Sequence, residues 1–248
     1  MEGYDASTYG EAFADVYDEW YGHVSDVDAT VDVIAGLADG GPVLELGVGT
    51  GRLAIPLAAR GLEVHGIDAS PAMVERLRSK PGGDAVHVTT GDFADATVEV
   101  PDGFAVALVA FNTLFNLATA DAQKRCFASV ARRLRPGGTF VVEAFVPDPE
   151  AVPSGGGLTT SSVTVERVVL QATMADPTAQ TISGSTISIT DAGIRLRPWH
   201  IRWATPGELD EMANAAGLVR RERWGGWDRS PHVADGNRHV TSYERPQA

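Results

Sequence analysis

The spacing of apolar residues divides the chain into two stretches with different periodicity. Between Val43 and Val146, short apolar runs alternate with segments in which apolar residues recur at helical spacing. After Pro147, β-branched residues alternate with polar residues over several consecutive runs. The first pattern is typical of a parallel sheet with helices on both faces, and the second of antiparallel strands.

Five strands and three connecting helices are predicted in the first stretch. The strands are the runs PVLEL, LEVHGID, AVHVTTGD, FAVALVAF and TFVVEAFV. One helix is expected through LAIPLAA, and another begins at Ser70 and Pro71. The third runs through DAQKRCFASVARRL and is ended by RPGG.

The residues before the first strand predict two helices. The run YGEAFADVYDEWYG places aromatic residues, among them Tyr9 and Tyr17, on one face of a helix. The run SDVDATVDVIAGL opens with Ser25 and Asp28, a pair that resembles a capping box. Because an aromatic face needs an apolar partner, we expect residues 1–40 to form a lid over the functional site.

The stretch after Pro147 predicts an antiparallel sheet. It begins with SGGG at 154–157, which we interpret as a flexible break. Three strands are predicted next, in SVTVERVVLQATM, AQTISGSTISIT and IRLRPWHIRW. A helix that begins at Thr205, Pro206 and Glu208 follows, and LVRRERW and RHVTSYER return to the main sheet.

This order of elements predicts an α/β fold. We expect a Rossmann-like, doubly wound, seven-stranded sheet with an antiparallel β insertion after strand 5. Four units are expected along the chain: an N-terminal helical lid (1–40), a ligand-binding core (41–150), an antiparallel insertion that covers the substrate (151–204), and the last helix with the closing strands of the core (205–248).

Charge and cysteine content exclude several kinds of partner. Lys and Arg number 20 against 33 Asp and Glu, which gives a net charge of −13. Such a surface repels phosphate backbones and anionic bilayers, so we expect no nucleic acid and no membrane as partner. A single cysteine, Cys126, excludes an internal disulfide and a cysteine-based zinc site. Because neither a signal peptide nor a long apolar span is visible, we expect a cytoplasmic protein.

A glycine-rich loop follows the first predicted strand, in VLELGVGTGRLA. Dinucleotide-binding loops read G-x-G-x-x-G, but here Gly51 comes one residue early and Arg52 takes the place of the third glycine. Glu45 precedes the loop, and Asp68 follows the next strand, 21 residues after Gly47. An acid at that distance accepts hydrogen bonds from ribose hydroxyls, so NAD and S-adenosylmethionine both stay open as ligands.

The acids around this loop favour S-adenosylmethionine. A pyrophosphate gains from bare glycines and a helix N-terminus, whereas S-adenosylmethionine carries no phosphate. Glu45 before the loop and Asp92 after the third strand therefore suit the less anionic ligand. Asp92 is placed to accept a hydrogen bond from the adenine amino group, with Phe93 or Met73 packed on the ring.

Four motifs resemble those of class I S-adenosylmethionine-dependent methyltransferases. They are VLELGVGTGRLA, GIDASPAM, TTGDF and LRPGGTFVVEAF, within residues 40 to 146. The run YDEWY and the insertion also resemble the small-molecule and sugar methyltransferase branch. The resemblance implies that the three loop glycines face the methionine part of the cofactor, Asp68 the ribose, and Asp92 with Phe93 the adenine. The full set of expected cofactor residues is Glu45, Gly47, Gly49, Gly51, Asp68, Ala69, Met73, Asp92, Phe93, Phe111 and Tyr17.

The acceptor is predicted from the chemistry of methyl transfer. A hydroxyl must lose its proton to a base, whereas a neutral amine needs no base. Glu143 on the fifth strand and His200 in the insertion are the candidate catalytic bases. Four of the five tryptophans lie within 29 residues and predict flat platforms for sugar rings. The expected substrate residues are Tyr21, Asn112, Arg202, Trp203 and Trp227.

We therefore expect O-methylation of a sugar hydroxyl in a glycoside or polysaccharide precursor, such as a methylated mannoside. N-methylation of an amino sugar or small amine is one alternative, and a non-catalytic S-adenosylmethionine-binding protein is another. No spacing of His, Asp and Glu assigns a metal site, and Mg²⁺ that activates the acceptor stays open. The expected partner is a small-molecule acceptor, and the expected assembly is a monomer or homodimer.

Overall fold

The computed structural model describes residues 1–22, 26–95, 97–146, 155–233 and 236–247. Within these residues, eleven strands form two sheets. In chain order the strands are β1 (Val43–Leu46), β2 (Val64–Asp68), β3 (Val86–Thr90), β4 (Phe104–Val109), β5 (Leu134–Phe145), β6 (Gly155–Val163), β7 (Arg167–Asp176), β8 (Thr181–Thr190), β9 (Gly193–Arg202), β10 (Val219–Trp224) and β11 (Arg238–Glu244).

The larger sheet has seven strands in the order β10-β11-β5-β4-β1-β2-β3. β1 to β5 are parallel, and β11 runs antiparallel to both of its neighbours. The strand order reverses beside β1, because β2 and β3 extend to one side of it and β4 and β5 to the other. Ligands of such sheets bind at the carboxyl ends of the strands next to this reversal.

Helices cover both faces of the larger sheet. In chain order the helices of the described residues are α1 (Thr8–Phe13), α2 (Tyr17–Tyr21), α3 (Val27–Ala38), α4 (Ala54–Ala59), α5 (Pro71–Ser79), α6 (Ala120–Arg133) and α7 (Pro206–Ala215). α3 and α4 contribute Ile34 and Leu57 to one buried cluster, and α6 and α7 contribute Phe127 and Leu209 to the other. This arrangement confirms the predicted Rossmann-like, doubly wound α/β fold.

Side chains cap four of these helices, which are α3, α5, α6 and α7. Thr205 and Glu208 form the reciprocal capping box predicted for α7. The N-cap of α3 is Asp26, whose Oδ1 accepts the Ala29 N–H at 2.9 Å. The predicted cap of this helix, Ser25, lies outside the described residues.

The insertion after β5 is an antiparallel sheet in the order β6-β7-β8-β9. An antiparallel insertion is confirmed at this position, but it has four strands and not three. The predicted first strand is divided because Thr164 closes a turn: its backbone N–H donates to Arg167 O at 2.8 Å, and its Oγ1 accepts the Arg167 N–H at 3.0 Å. Glycines 155–157 pair with β7 within the edge strand β6, so they do not form a break.

The aromatic N-terminal segment forms two short helices and not one continuous helix. α1 packs on α5, and a Cβ at Gly10 would lie 2.3 Å from Ser70 Cβ, so glycine permits this close approach. The turn between α1 and α2 gathers their aromatic side chains around Met73 in a third cluster. No helix in the described ranges is long and apolar enough to cross a bilayer.

Candidate active site

A cleft lies between the N-terminal segment and the carboxyl ends of β1, β2 and β3. The space between these elements is about 660 Å³, a figure that includes the part open to solvent. Eight of the eleven predicted cofactor residues line it, and these are Tyr17, Gly47, Gly49, Asp68, Ala69, Met73, Asp92 and Phe93.

The glycine loop lines the cleft with bare backbone. Gly47 has a φ of 70°, and a Cβ there would lie 2.4 Å from Thr113 Cγ2. A side chain is excluded at this position both by the backbone conformation and by the neighbouring residue. Gly51 has a different role, because it allows the loop to pack on Leu77 of α5 and does not line the cleft.

Asp68 connects the loop to the end of β2. Its Oδ2 accepts the Gly49 N–H at 2.7 Å, and its Oδ1 accepts the Ser70 N–H at 2.8 Å. Burial raises the pKa of this carboxyl, and the two N–H donors oppose that effect. Each oxygen retains a further lone pair, so the side chain is suited to accept hydrogen bonds from ribose hydroxyls.

Asp92 and Phe93 line the cleft at the end of β3, together with the buried Met73 of α5. Asp92 Oδ1 accepts the Ala94 N–H at 2.9 Å, which orients its carboxylate. The aromatic ring and the thioether provide apolar surface beside this acceptor. The three side chains line the same cleft, and an adenine site formed by them stays a prediction.

A smaller cavity of about 310 Å³ adjoins the cleft and shares Gly47 and Tyr17 with it. Glu45 lines this cavity and is 5% exposed. Burial raises its pKa to about 8, although Arg52 opposes the shift. Among the described residues, no donor pairs with Glu45 Oε2. An unpaired buried carboxylate oxygen suits a cationic group such as an ammonium.

α2 lies beside the smaller cavity, which Tyr17 lines. The Tyr17 and Tyr21 rings lie 5.1 Å apart, and the Tyr21 ring lies 6.0 Å from that of Phe111. Asp18 on the same helix accepts the hydroxyl of Thr50 in the glycine loop at 2.6 Å. α2 is therefore joined directly to the glycine loop.

Neither of the two predicted bases lines the cleft, and each makes a hydrogen bond elsewhere. Glu143 is 8% exposed, its Oε2 accepts the Phe111 N–H at 2.7 Å, and it does not line the cleft. His200 Nδ1 is hydrogen-bonded to Ser183 Oγ at 2.8 Å, and its ring meets the Tyr4 ring edge-on at 5.9 Å. Tyr4, and not His200, lines the cleft.

The predicted tryptophan platform is not formed. Trp203 is 4% exposed in the cluster under α6 and α7, and Trp227 is 6% exposed in the cluster under α3. The Trp199 ring covers Gly184 of the neighbouring strand β8. The prediction was wrong because these large apolar rings gain more from burial in the core than from exposure to a ligand.

Two further predicted substrate residues make structural contacts. Arg202 is 8% exposed, and its guanidinium donates to Gln123 and Gln180 at 2.7 and 2.6 Å and pairs with Glu208 at 3.2 Å. These partners satisfy its charge inside the fold, so it is not free to bind a substrate. Asn112 Oδ1 accepts a backbone N–H of β5. Of the predicted substrate residues, Tyr21 alone belongs to α2. Its ring lies next to those of Tyr17 and Phe111, which line the smaller cavity.

Several residues that line the cleft belong to no sequence motif that would identify them as site residues. Tyr4, Asp5 and Ala6 precede α1 and line the cleft, because α1 docks on α5 and draws this segment over the site. Thr113 and Asn116 follow β4 and line the same cleft. In the sequence, only their position after β4 indicates that Thr113 and Asn116 lie at the site, because β4 is next to the point where the strand order reverses.

Comparison with known proteins agrees with this geometry. A profile of the methyltransferase domain matches residues 43–138. The CcbJ methyltransferase from Streptomyces caelestis is 40% identical to this chain over 99% of it and 100% of that protein, with a TM-score of 0.88. The chain therefore belongs to the class I S-adenosylmethionine-dependent methyltransferases, which confirms both the cofactor and the type of reaction predicted.

Two other similar proteins are more distant in sequence. The cypemycin N-terminal methyltransferase from a Streptomyces species is 29% identical over 97% of this chain and 99% of that protein. The sugar N-methyltransferase KedS8 from Streptoalloteichus sp ATCC 53650 is 20% identical over 100% of this chain and 99% of that protein, with a TM-score of 0.70. At this identity the second comparison supports the fold alone.

The residues present fit S-adenosylmethionine. The unpaired Glu45 oxygen suits its ammonium, and the bare backbone at Gly47 leaves the space that a side chain would fill. When bound, this cofactor supplies a methyl group activated by a sulfonium. Among the described His, Cys, Asp and Glu residues, no group of three is arranged to hold a metal ion.

Proposed function

We propose that this methyltransferase acts on an amine nitrogen of a small molecule. The proposal rests on the absence of both candidate bases, Glu143 and His200, from the described lining of the cleft. Glu143 accepts the Phe111 N–H outside the cleft, and His200 is held by Ser183 beside Tyr4. A hydroxyl acceptor requires a base within hydrogen-bond reach, whereas an uncharged amine attacks without one.

Three ionisable groups that line the cleft support the same acceptor. Hydrogen bonds from Ser7 and Thr8 lower the pKa of Asp5, which makes its carboxylate a weak base. Burial raises the pKa of Tyr17 to about 12, and it raises the pKa of Tyr9 well above the ordinary value. Both phenols therefore stay protonated near neutral pH and act only as neutral hydrogen-bond partners.

In this proposal the protein contributes by binding, alignment and exclusion of water. Glu45 binds the methionine ammonium and Asp68 accepts hydrogen bonds from the ribose. Asp92 accepts from the adenine amino group while Phe93 packs on the ring. The lid then excludes water from the reacting atoms. The ammonium product releases its proton to solvent, so no side chain has to remove it before the methyl group is transferred.

A similar protein supports an amine acceptor. The cypemycin N-terminal methyltransferase acts, by its name, on an N-terminus, which is an amine. The sugar hydroxyl expected from the sequence depended on a tryptophan platform, and Trp203 and Trp227 are buried. An amino sugar, a small amine and a peptide N-terminus all belong to the proposed acceptor class.

Paired acceptors test this proposal. Glucosamine is compared with glucose, and a dipeptide with its N-acetylated form, each in the presence of S-adenosylmethionine. We expect mass spectrometry to detect a gained methyl group only on the members with a free amine. Their rates should rise with pH through the pKa of the substrate amine, because only the uncharged form attacks. Methylation of glucose and of the N-acetylated dipeptide, with the amines unchanged, would falsify the proposal.

A further inference from the structure

β4 is followed by a turn with unusual backbone geometry. Phe111 and Asn112 have φ values of 51° and 63°, in the left-handed region that residues other than glycine rarely adopt. Two consecutive residues of this kind persist only where the surrounding structure holds them. Such strained positions concentrate at functional sites, so the contacts that hold this turn indicate which residues support the site.

Hydrogen bonds with β5 hold the turn. Glu143 Oε2 accepts the Phe111 N–H at 2.7 Å, and the backbone oxygen of Glu143 accepts the Asn112 N–H at 3.1 Å. In return, Asn112 Oδ1 accepts the Phe145 N–H at 2.6 Å. The Glu143 carboxylate is the one ionisable group in this set, and it faces the turn from a buried position.

The turn forms one wall of the smaller cavity, through Phe111 and Thr113. The centroid of the Phe111 ring lies 5.4 Å from the Arg52 guanidinium. The Thr113 methyl group approaches Gly47 so closely that a Cβ there would lie 2.4 Å from it. Any shift of the turn therefore moves surfaces that contact the glycine loop and α2.

We propose that Glu143 is a positioning residue, whose carboxylate holds the strained turn after β4 so that Phe111 and Thr113 shape the methyl-transfer site. A hydrogen bond from a backbone N–H to a carboxylate is of the strong, charge-assisted kind. The role requires an acceptor oxygen at this position and no transfer of a proton. This positioning role of Glu143 is the same whether the methylated atom is nitrogen or oxygen. It is therefore independent of the proposed amine acceptor.

Two substitutions separate this role from that of a base. Glu143→Gln keeps an oxygen that accepts the Phe111 N–H but has no basic carboxylate, whereas Glu143→Ala removes both. We expect E143Q to keep its affinity for S-adenosylhomocysteine and its turnover within about threefold of the unmodified protein. E143A should lose roughly tenfold or more in each. Calorimetry measures the affinity and needs no acceptor, so this readout is independent of the proposed function.

Hydrogen exchange at the Phe111 amide reports the contact directly. The amide should exchange slowly in the unmodified protein and in E143Q, and rapidly in E143A. Glu222→Ala, which removes an exposed carboxylate on β10, is the control and should match the unmodified protein in every measurement. The pH profile of turnover should keep its shape in E143Q.

Two outcomes overturn the proposal. A loss of about 100-fold or more in the turnover of E143Q, with the Phe111 amide still protected, would assign Glu143 as a base. An E143A protein with unchanged exchange and unchanged affinity would show that the turn does not need this side chain. If E143A does not fold, E143Q decides alone, because positioning predicts an active variant with the original pH profile.

Discussion

At the scale of single residues, Glu45 combines deep burial with an unpaired oxygen. Its pKa is raised by burial from an ordinary value of 4.5 to about 8. The folded protein thus binds this proton more tightly than the unfolded chain does. The contribution of Glu45 to stability therefore decreases as the pH rises from 4.5 to about 8. In the free protein the carboxyl group is mostly protonated at neutral pH.

We expect cofactor binding to reverse this shift, because an ammonium beside Glu45 stabilises the carboxylate. Binding of S-adenosylhomocysteine at pH 7 should then release about one proton, and its affinity should increase as the pH rises towards 8. Calorimetry in two buffers of different ionisation enthalpy measures the release. Glu45→Gln has no proton to lose at this position, so equal release from both proteins would contradict the placement of the ammonium.

At the scale of elements, charged side chains join the N-terminal helices to the rest of the molecule. Asp15 Oδ2 lies 2.9 Å from Arg195 and 3.0 Å from Arg197 of β9. Asp18 lies 2.8 Å from Lys80 after α5. Arg197 is buried, so loss of its partner would leave an uncompensated charge inside the protein.

We expect Asp15→Asn to loosen the lid and to weaken binding of S-adenosylhomocysteine by roughly tenfold, or about 1.4 kcal/mol. Hydrogen exchange of residues 9–22 should be faster in this variant, and in the unmodified protein it should become slower when the ligand is added. Asp121→Asn is a suitable control, because its pair with Lys124 is exposed on α6. Identical exchange of residues 9–22 in the Asp15 variant and the unmodified protein would show that these ion pairs do not hold the lid.

At the scale of the whole molecule, the cleft lies where the N-terminal segment meets the larger sheet. A ligand that binds there stabilises the folded chain by linkage. S-adenosylhomocysteine at 100 times its Kd should raise the free energy of unfolding by about 2.7 kcal/mol, measured by urea unfolding. NAD at the same concentration should leave it unchanged, because Asp92 disfavours a pyrophosphate. Equal stabilisation by NAD would mean that the loop does not discriminate between the two ligands.

The sequence by itself determined the doubly wound sheet and the position of the cleft at the carboxyl ends of β1, β2 and β3. Both depend on short-range features: the periodicity of apolar residues, the glycine loop after β1, and Asp68 and Asp92 after β2 and β3. Because the carboxyl ends of parallel strands meet at one edge of a sheet, residues after those strands come together in any chain with this strand order. Neither the sheet nor the position of the cleft depends on the contacts that a side chain makes with residues distant in the sequence.

Only the tertiary structure decided the roles of Trp203, Trp227, Arg202 and Glu143. A tryptophan that stacks on a ligand and one that fills a core look alike in a sequence, since both are large and apolar. In the same way, a buried carboxylate is free to act as a base or committed to a structural contact, depending on the donor that reaches it. That donor is the Phe111 N–H, 32 residues away along the chain. It reaches Glu143 because β4 and β5 pair in parallel.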